Sequence, residues 1–266
     1  MRYLIAIMPF LVAGCSCNPY NFSHPILKDK ELRGDPYGLP RTYTGASEMY
    51  VYAMMAYNAY GEDDSYVMPK NVKTIVKEAD GGLGLQYSVF EINKQKDKKE
   101  LVIAFRGTEI LDLNDWWYGN LFGGQYDMAD CIYEKYVKNQ DYKNHKIIAI
   151  GHSLGGGLAL HLSVSYPGVE AYAFNPSYRI FRKNDTEQPN KRYLIAEEFE
   201  ILSPMRLVWR EPTQLEKFSE FYCSYTSKHS MKKLSRCILH VAAITNMEAE
   251  QSLKDNIDIN CETTTK

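Results

Sequence analysis

The sequence has no excess of positive charge, no internal repeat and no low-complexity tract. Its 31 Lys and Arg residues are balanced by 33 Asp and Glu residues, which gives a formal net charge of −2 and nothing that favours nucleic acid binding. The spacing of its cysteines resembles no zinc motif, so we expect no metal and no cofactor. A composition of 45% hydrophobic and 24% charged residues is ordinary for a globular enzyme.

The N-terminus lacks a membrane-spanning run but has the pattern of a signal segment. The apolar stretch from Tyr3 to Val12 is too short to cross a bilayer and contains Pro9. The four residues that end at Cys15 resemble a bacterial lipobox, in which the cysteine is acylated and becomes the first residue after cleavage. The following Ser16 implies retention at the outer membrane. An ordinary signal peptide is the alternative.

The chain after this segment is expected to form one folded domain. Residues 1–14 are predicted to be a lipoprotein signal peptide. Residues 15–40 have prolines, charges and little periodicity, which indicates a tether. Residues 41–266 are long enough for one α/β domain with a substantial core.

The strongest chemical signal is Gly-His-Ser-Leu-Gly-Gly at residues 151–156. A short apolar, β-branched run from Lys146 to Ile150 precedes it and predicts a strand buried on both faces. Residues 156–166 follow as a predicted amphipathic helix. A strand, a sharp Gly-x-Ser-x-Gly turn and a helix form a nucleophile elbow, with Ser153 as the candidate nucleophile.

A second motif lies upstream, where the predicted buried strand from Leu101 to Phe105 ends in Arg106-Gly107-Thr108. With the elbow about fifty residues later, this pattern closely resembles the class 3 lipase family. The resemblance also covers residues 53–60, 115–116 and 120–121, and extends from about residue 46 to about residue 246. It implies an α/β-hydrolase fold with a central, mostly parallel sheet flanked by helices. It further implies that Thr108 and Leu154 supply the oxyanion-hole donors. For Arg106 it favours a structural role beneath the oxyanion loop, although a charged headgroup could also use it.

The histidine of the site is expected after the serine, because α/β-hydrolases order their triad as nucleophile, acid and histidine. Only His229 and His240 fit this order. His240 lies within an apolar helical pattern that is typical of a core histidine. His229 precedes that helix, as the family's histidine does, and is the preferred base.

The acid is expected after the predicted strand at residues 193–196. Three carboxylates follow that strand, Glu197, Glu198 and Glu200. Glu200 best matches the family's spacing, although the family typically has aspartate there. Glu198 is the alternative, and Asp185 is more typical of a surface loop. The acid's role is to orient the imidazole and stabilise the imidazolium.

Two further features bear on the site. Residues 111–122 are rich in aromatic side chains, including Trp116 and Trp117, and form either a lid over an acyl site or part of the core. Cys223 and Cys237 flank His229 and are the candidate disulfide pair in an oxidising compartment, with free buried thiols as the alternative.

Together these features predict a serine ester hydrolase for lipid or phospholipid acyl esters. The enzyme would be tethered to the bacterial cell envelope, as an outer-membrane lipoprotein, through acylated Cys15. Two alternatives stay open at this point. One is a carboxylesterase or thioesterase for soluble esters, and the other is a lipoprotein that uses a hydrolase scaffold only for binding.

Overall fold

The computed structural model describes residues 38–94, 98–107, 119–177, 188–197, 217–221 and 229–260. Seven strands form one sheet in chain order: β1 Val72–Gly82, β2 Leu85–Asn93, β3 Lys99–Phe105, β4 Lys146–His152, β5 Val169–Phe174, β6 Arg192–Glu197 and β7 Lys217–Phe221. The pairs β1–β2 and β2–β3 are antiparallel, whereas every pair from β3 to β7 is parallel.

The helices cover both faces of this sheet. They are α1 Gly38–Asn58, α2 Gly119–Val137, α3 Leu154–Ser165, α4 Met231–Ala243, α5 Met247–Asp255 and α6 Ile257–Asn260, with a short 3-10 helix at Gln140–Tyr142. Residues of α1, α4 and α5 share one core cluster with the sheet, and residues of α2 and α3 share the other. The predicted α/β architecture, with a central, mostly parallel sheet flanked by helices, is confirmed. Among the described residues, no helix combines the length and the apolar character needed to cross a bilayer.

The central strands are apolar because both of their faces are covered. In β3, Val102 and Ala104 face the cluster that contains α1, whereas Leu101, Ile103 and Phe105 face the cluster that contains α3. All five side chains are fully buried. A strand in this position has no solvent face, so its sequence shows a continuous apolar run rather than alternation.

The register of the parallel strands brings their carboxyl ends together. Phe105 pairs with Gly151, and Gly151 pairs with Ala173. The residues that follow these strands therefore emerge along one side of the sheet, which we call the carboxyl edge. They include Gly107 after β3, Ser153 after β4 and Asn175 after β5.

Helix α3 differs from its prediction. An amphipathic helix was expected at residues 156–166, but all of the residues of α3 are buried. The reason is its position, since it packs between the sheet and α2. Its polar His161 is accommodated by Asp130 of α2, with Nε2 and Oδ1 3.0 Å apart.

Glycine is required where α3 crosses the sheet. A Cβ atom on Gly155 would lie 2.2 Å from the carbonyl oxygen of Phe105. A Cβ atom on Gly151 would lie 2.4 Å from the carbonyl carbon of Gly155. Both obstacles are backbone atoms, which cannot rotate away, so only glycine allows this close approach.

We expect Gly155→Ala to lower the free energy of unfolding by about 3 kcal/mol or more, at the upper end of overpacking effects, because the clash is with backbone. Gly123→Ala is the matched control, because a Cβ atom there would meet nothing within 4 Å. That change should raise stability by up to about 1 kcal/mol through helix propensity. Urea unfolding of both variants measures the difference, and equal stability of the two would contradict the packing argument.

Candidate active site

Ser153 occupies a strained turn between β4 and α3. Its φ of 56° and ψ of −121° lie in a region that non-glycine residues rarely adopt. The turn is held by its own backbone, since the Ser153 N–H donates to the Phe174 carbonyl at 3.0 Å. The Ser153 carbonyl accepts from the N–H groups of Gly157 and Ser177, at 3.1 and 2.8 Å. This geometry is that of a nucleophile elbow.

Two features beside Ser153 bear on the predicted oxyanion hole. A Cβ atom on Gly107 would lie 3.0 Å from the Ser153 Cβ, so the turn after β3 closely approaches the elbow. Leu154 is the first residue of α3, where backbone N–H groups have no acceptor within the helix. An anion formed beside Ser153 would therefore meet donors and the positive end of α3. Thr108 lies outside the described residues.

His229 lies next to the elbow. Its ring centroid is 4.6 Å from that of His152, the residue before Ser153, and the two rings are inclined by 39°. His229 has a φ of 55°, a second strained backbone at this edge. Ser230 begins α4 as its N-cap, with Oγ accepting from the Lys233 N–H. The residue expected as the base therefore lies beside the elbow, against the ring of the residue that precedes Ser153.

His240 occupies a different part of α4. It lies nine residues after Met231, or about 13 Å along the helix. Burial and, to a smaller extent, the charge of Arg236 lower the pKa of His240 to about 4. These properties are those of a neutral, half-buried packing residue, and the geometry favours His229 over His240 as the base.

The carboxylates proposed for the triad, Glu200 and Glu198, lie outside the described residues. The carboxylate described nearest to them in the chain is Glu197, the last residue of β6, which is fully buried. Its backbone N–H donates to the Asn175 Oδ1 at 2.8 Å. Asn175 itself has a φ of 40° and is fully buried. The side chain of the residue directly after β5 thus fixes the chain at Glu197, immediately before the predicted acids.

Tyr60 connects the elbow to the turn after β3. Its hydroxyl is 2.6 Å from the Nδ1 atom of His152, and its ring centroid lies 5.5 Å from the guanidinium carbon of Arg106. A Cβ atom on Gly107 would lie 2.8 Å from the same hydroxyl. Tyr60 therefore fills the space between the turn after β3 and the rings of His152 and His229, which we call the histidine pair.

The far side of the elbow is supported by α2. Tyr126 is buried there, and its hydroxyl hydrogen-bonds the Ser177 side chain. Burial is also the main reason that the pKa of Tyr126 is raised, so the hydroxyl keeps its proton. Ser177 thus contacts Tyr126 of α2 through its side chain, and its N–H donates to the Ser153 carbonyl. Helix α2 therefore helps to hold the turn at Ser153.

Several predicted features lie outside the described residues and stay predictions. They are Cys15, Asp185, Cys223 and residues 111–118 of the aromatic segment, whose last four residues begin α2. Cys237 is disulfide-bonded. No group of three or more potential metal ligands occurs among the residues that the structure describes.

Sequence reasoning missed the roles of Tyr60 and Asn175. In the sequence, Tyr60 only ends a segment that resembles the family, and Asn175 lies outside the motifs. Tyr60 and His152 are 92 positions apart, so their contact depends on the packing of α1 against the sheet. One signal could have identified Asn175, namely an Asn directly after a predicted buried strand. Asn tolerates the left-handed backbone that a sharp turn at such a position requires.

His240 predicts a pH effect on stability. Its folded-state pKa of about 4 lies below the ordinary histidine value, so the unfolded chain binds the proton first as pH falls. Stability is then lost between about pH 6.5 and 4. The Asn side chain of His240→Asn cannot be protonated. We therefore expect the free energy of unfolding of this variant to fall by about 2 kcal/mol less than that of the unmodified protein between pH 7 and 5. Urea unfolding at both pH values measures this, and equal losses would show that His240 titrates normally.

Comparison with known proteins adds a family match and structural neighbours. Residues 50–179, which include Gly107 and Ser153, match the sequence model of a phospholipase-like family described as a Tle-like phospholipase domain. Lipase II from Rhizopus niveus shares 19% identity, with a TM-score of 0.44 over 62% of this chain and 77% of that chain. A triacylglycerol lipase from Penicillium expansum shares 15%, with a TM-score of 0.44 over 71% and 82%.

A dienelactone hydrolase from Anabaena variabilis shares 13% identity, with a TM-score of 0.36 over 68% of this chain and 96% of that chain. None of the curated proteins matches the chain. The specific resemblance to class 3 lipases stays a prediction. The segment that carries the elbow and the turn after β3 is similar to a phospholipase-like domain.

Proposed function

We propose that the protein is a serine carboxylic-ester hydrolase that acts on lipid or phospholipid acyl esters. The observation that carries this proposal is the strained turn at Ser153 with the His229 ring beside it. Strain of this kind persists where function requires it and the surrounding structure enforces it. The match of residues 50–179 to a phospholipase-like family supports lipid ester hydrolysis.

In the proposed reaction, the Ser153 oxygen attacks the carbonyl carbon of the acyl ester while His229 takes the serine proton. The tetrahedral intermediate collapses when His229 gives that proton to the leaving alcohol oxygen. Water then attacks the acyl-enzyme with His229 again as base, which releases the fatty acid and regenerates Ser153. The chemistry needs no cofactor.

The backbone N–H groups of Thr108 and Leu154 are the proposed oxyanion donors. The contact between Gly107 and Ser153 supports this assignment, because it brings the turn after β3 against the elbow. Leu154 adds an N–H group from the first turn of α3. Loss of one such donor typically costs about 100- to 1000-fold in kcat.

Glu200 is the proposed acid that orients His229, with Glu198 as the alternative. Both follow β6, whose end is fixed by the bond from the Glu197 N–H to Asn175. The membrane part of the proposal rests on the sequence alone. Acylation of Cys15 would tether the domain to the bacterial cell envelope, at the outer membrane, and keep the site close to lipid.

Tyr60 and His152 are proposed to position His229. The Tyr60 hydroxyl fixes the His152 ring through a 2.6 Å contact at Nδ1, and that ring lies against His229. A fixed neighbour limits the orientations that the His229 ring can adopt, which favours the one that reaches Ser153.

Tyr60→Phe should therefore lower kcat for ester hydrolysis about fivefold to tenfold, in line with the loss of one hydrogen bond, and leave KM nearly constant. Tyr66→Phe is the matched control, since it also removes a buried tyrosine hydroxyl, one that lies 3.2 Å from the Ser235 Oγ. Steady-state kinetics of both variants give the comparison. A kcat for Tyr60→Phe as high as that for Tyr66→Phe would refute the positioning role.

The function is tested by hydrolysis of a short-chain ester, a long-chain ester, a thioester and a phospholipid by the full chain in detergent. We expect lipid hydrolysis to fall by at least about 1000-fold in Ser153→Ala and in His229→Ala, because triad members act as a unit. His240→Ala is the control for loss of a histidine and should retain most of the activity.

Other outcomes distinguish the alternatives. Turnover confined to the short ester or the thioester would indicate an enzyme for soluble substrates. Loss of activity only in His240→Ala would identify that residue as the base. No turnover of any ester by the folded protein would refute the hydrolase and favour a binding lipoprotein.

A further inference from the structure

Arg106 is a half-buried cation at the carboxyl edge of the sheet, directly after β3. Its Nη1 atom donates to the side-chain oxygen of Gln86, and its guanidinium lies over the ring of Tyr60. Both of these partners are neutral. Among the described side chains, no carboxylate lies within ion-pair distance of Arg106, whereas Lys146 and Lys232 each pair with one.

The surroundings of Arg106 differ from those expected from the sequence. A purely structural arginine beneath the oxyanion loop would be buried, whereas this one is partly exposed. A partly desolvated charge is costly unless it is compensated by an opposite charge. Of the guanidinium's five donors, the bond to Gln86 uses one, and within the described part of the chain the others are available to an anion.

The position of Arg106 is close to the proposed chemistry. The next residue, Gly107, approaches Ser153 so closely that an added Cβ atom would lie 3.0 Å from the serine Cβ. The ring that supports the guanidinium belongs to Tyr60, whose hydroxyl contacts His152. The guanidinium is therefore linked to the elbow by two contacts, first to the Tyr60 ring and then from the Tyr60 hydroxyl to His152.

We propose that Arg106 binds the phosphodiester of a phospholipid substrate while Ser153 attacks its acyl ester. The proposal rests on the proposed function and names its substrate class. A planar guanidinium matches phosphate oxygens with two parallel hydrogen bonds, and Gln86 and Tyr60 hold it in a fixed orientation. A neutral diacylglycerol has no anionic phosphate for this charge-assisted, two-bond contact, so Arg106 selects phospholipids over neutral lipids.

The test compares phosphatidylcholine with diacylglycerol of the same acyl chains, in mixed micelles of an uncharged detergent and phosphate-free buffer. Arg106→Gln should lower kcat/KM for phosphatidylcholine at least about tenfold more than for diacylglycerol, since a charge-assisted bond to phosphate is lost. Arg106→Lys keeps the positive charge but loses the planar pair of N–H donors. Its kcat/KM for phosphatidylcholine, relative to that for diacylglycerol, should therefore fall less than in Arg106→Gln.

Lys138→Gln is the matched control, because it removes one unit of positive charge from an exposed residue that pairs with Glu134. It should change the ratio of the two kcat/KM values less than twofold. Should Arg106→Gln fold poorly, as judged by its Tm, the selective loss in Arg106→Lys decides the question.

Equal losses on both lipids in the Arg106 variants would overturn the inference and assign Arg106 to support of the turn after β3. Hydrolysis of diacylglycerol but not phosphatidylcholine by the unmodified protein would also overturn it. Neither outcome would refute the proposed ester hydrolase function, provided that the remaining activity requires Ser153. No activity on either lipid would instead reject the proposed function itself.

Discussion

The close approach of α3 to the end of β3 is the constraint on which the candidate site depends. Gly155 lies where any side chain would meet the Phe105 carbonyl, and Gly151 lies where one would meet Gly155. This contact sets where α3 begins and therefore where Ser153 and the Leu154 N–H are placed. It also brings Gly107 against the serine, so one packing contact aligns both the nucleophile and the proposed oxyanion donors.

Backbone strain accumulates at the same edge of the sheet. Ser153, Asn175 and His229 all have left-handed φ values of 40–56°, although none is glycine. Hydrogen bonds fix the first two: the Ser153 N–H donates to the Phe174 carbonyl, and the Ser153 carbonyl accepts from the Ser177 N–H. The Asn175 Oδ1 accepts from the Glu197 N–H at the end of β6. Rigid neighbours of this kind pre-organise reacting groups, which lowers the entropic cost of reaching a transition state.

The sequence predicted the features that depend on local pattern. The apolar runs of β3, β4 and β6 and the Gly-x-Ser-x-Gly turn each have a direct physical reason at their own positions. The prediction for α3 was wrong, because its burial is imposed by α2 and the sheet rather than by its periodicity. The contact between Tyr60 and His152 and the placement of Arg106 over the Tyr60 ring arise only when distant segments pack together, so no local pattern reveals them.

The central claim is that Ser153 is an activated nucleophile, and covalent labelling tests it most directly. The full chain would be treated with a long-chain alkyl fluorophosphonate, and the modified peptide identified by mass spectrometry. The account predicts one phosphonate adduct, on Ser153, which forms in the folded protein and not after denaturation in urea. A folded protein that stays unlabelled, or that is labelled at another residue, would contradict the account.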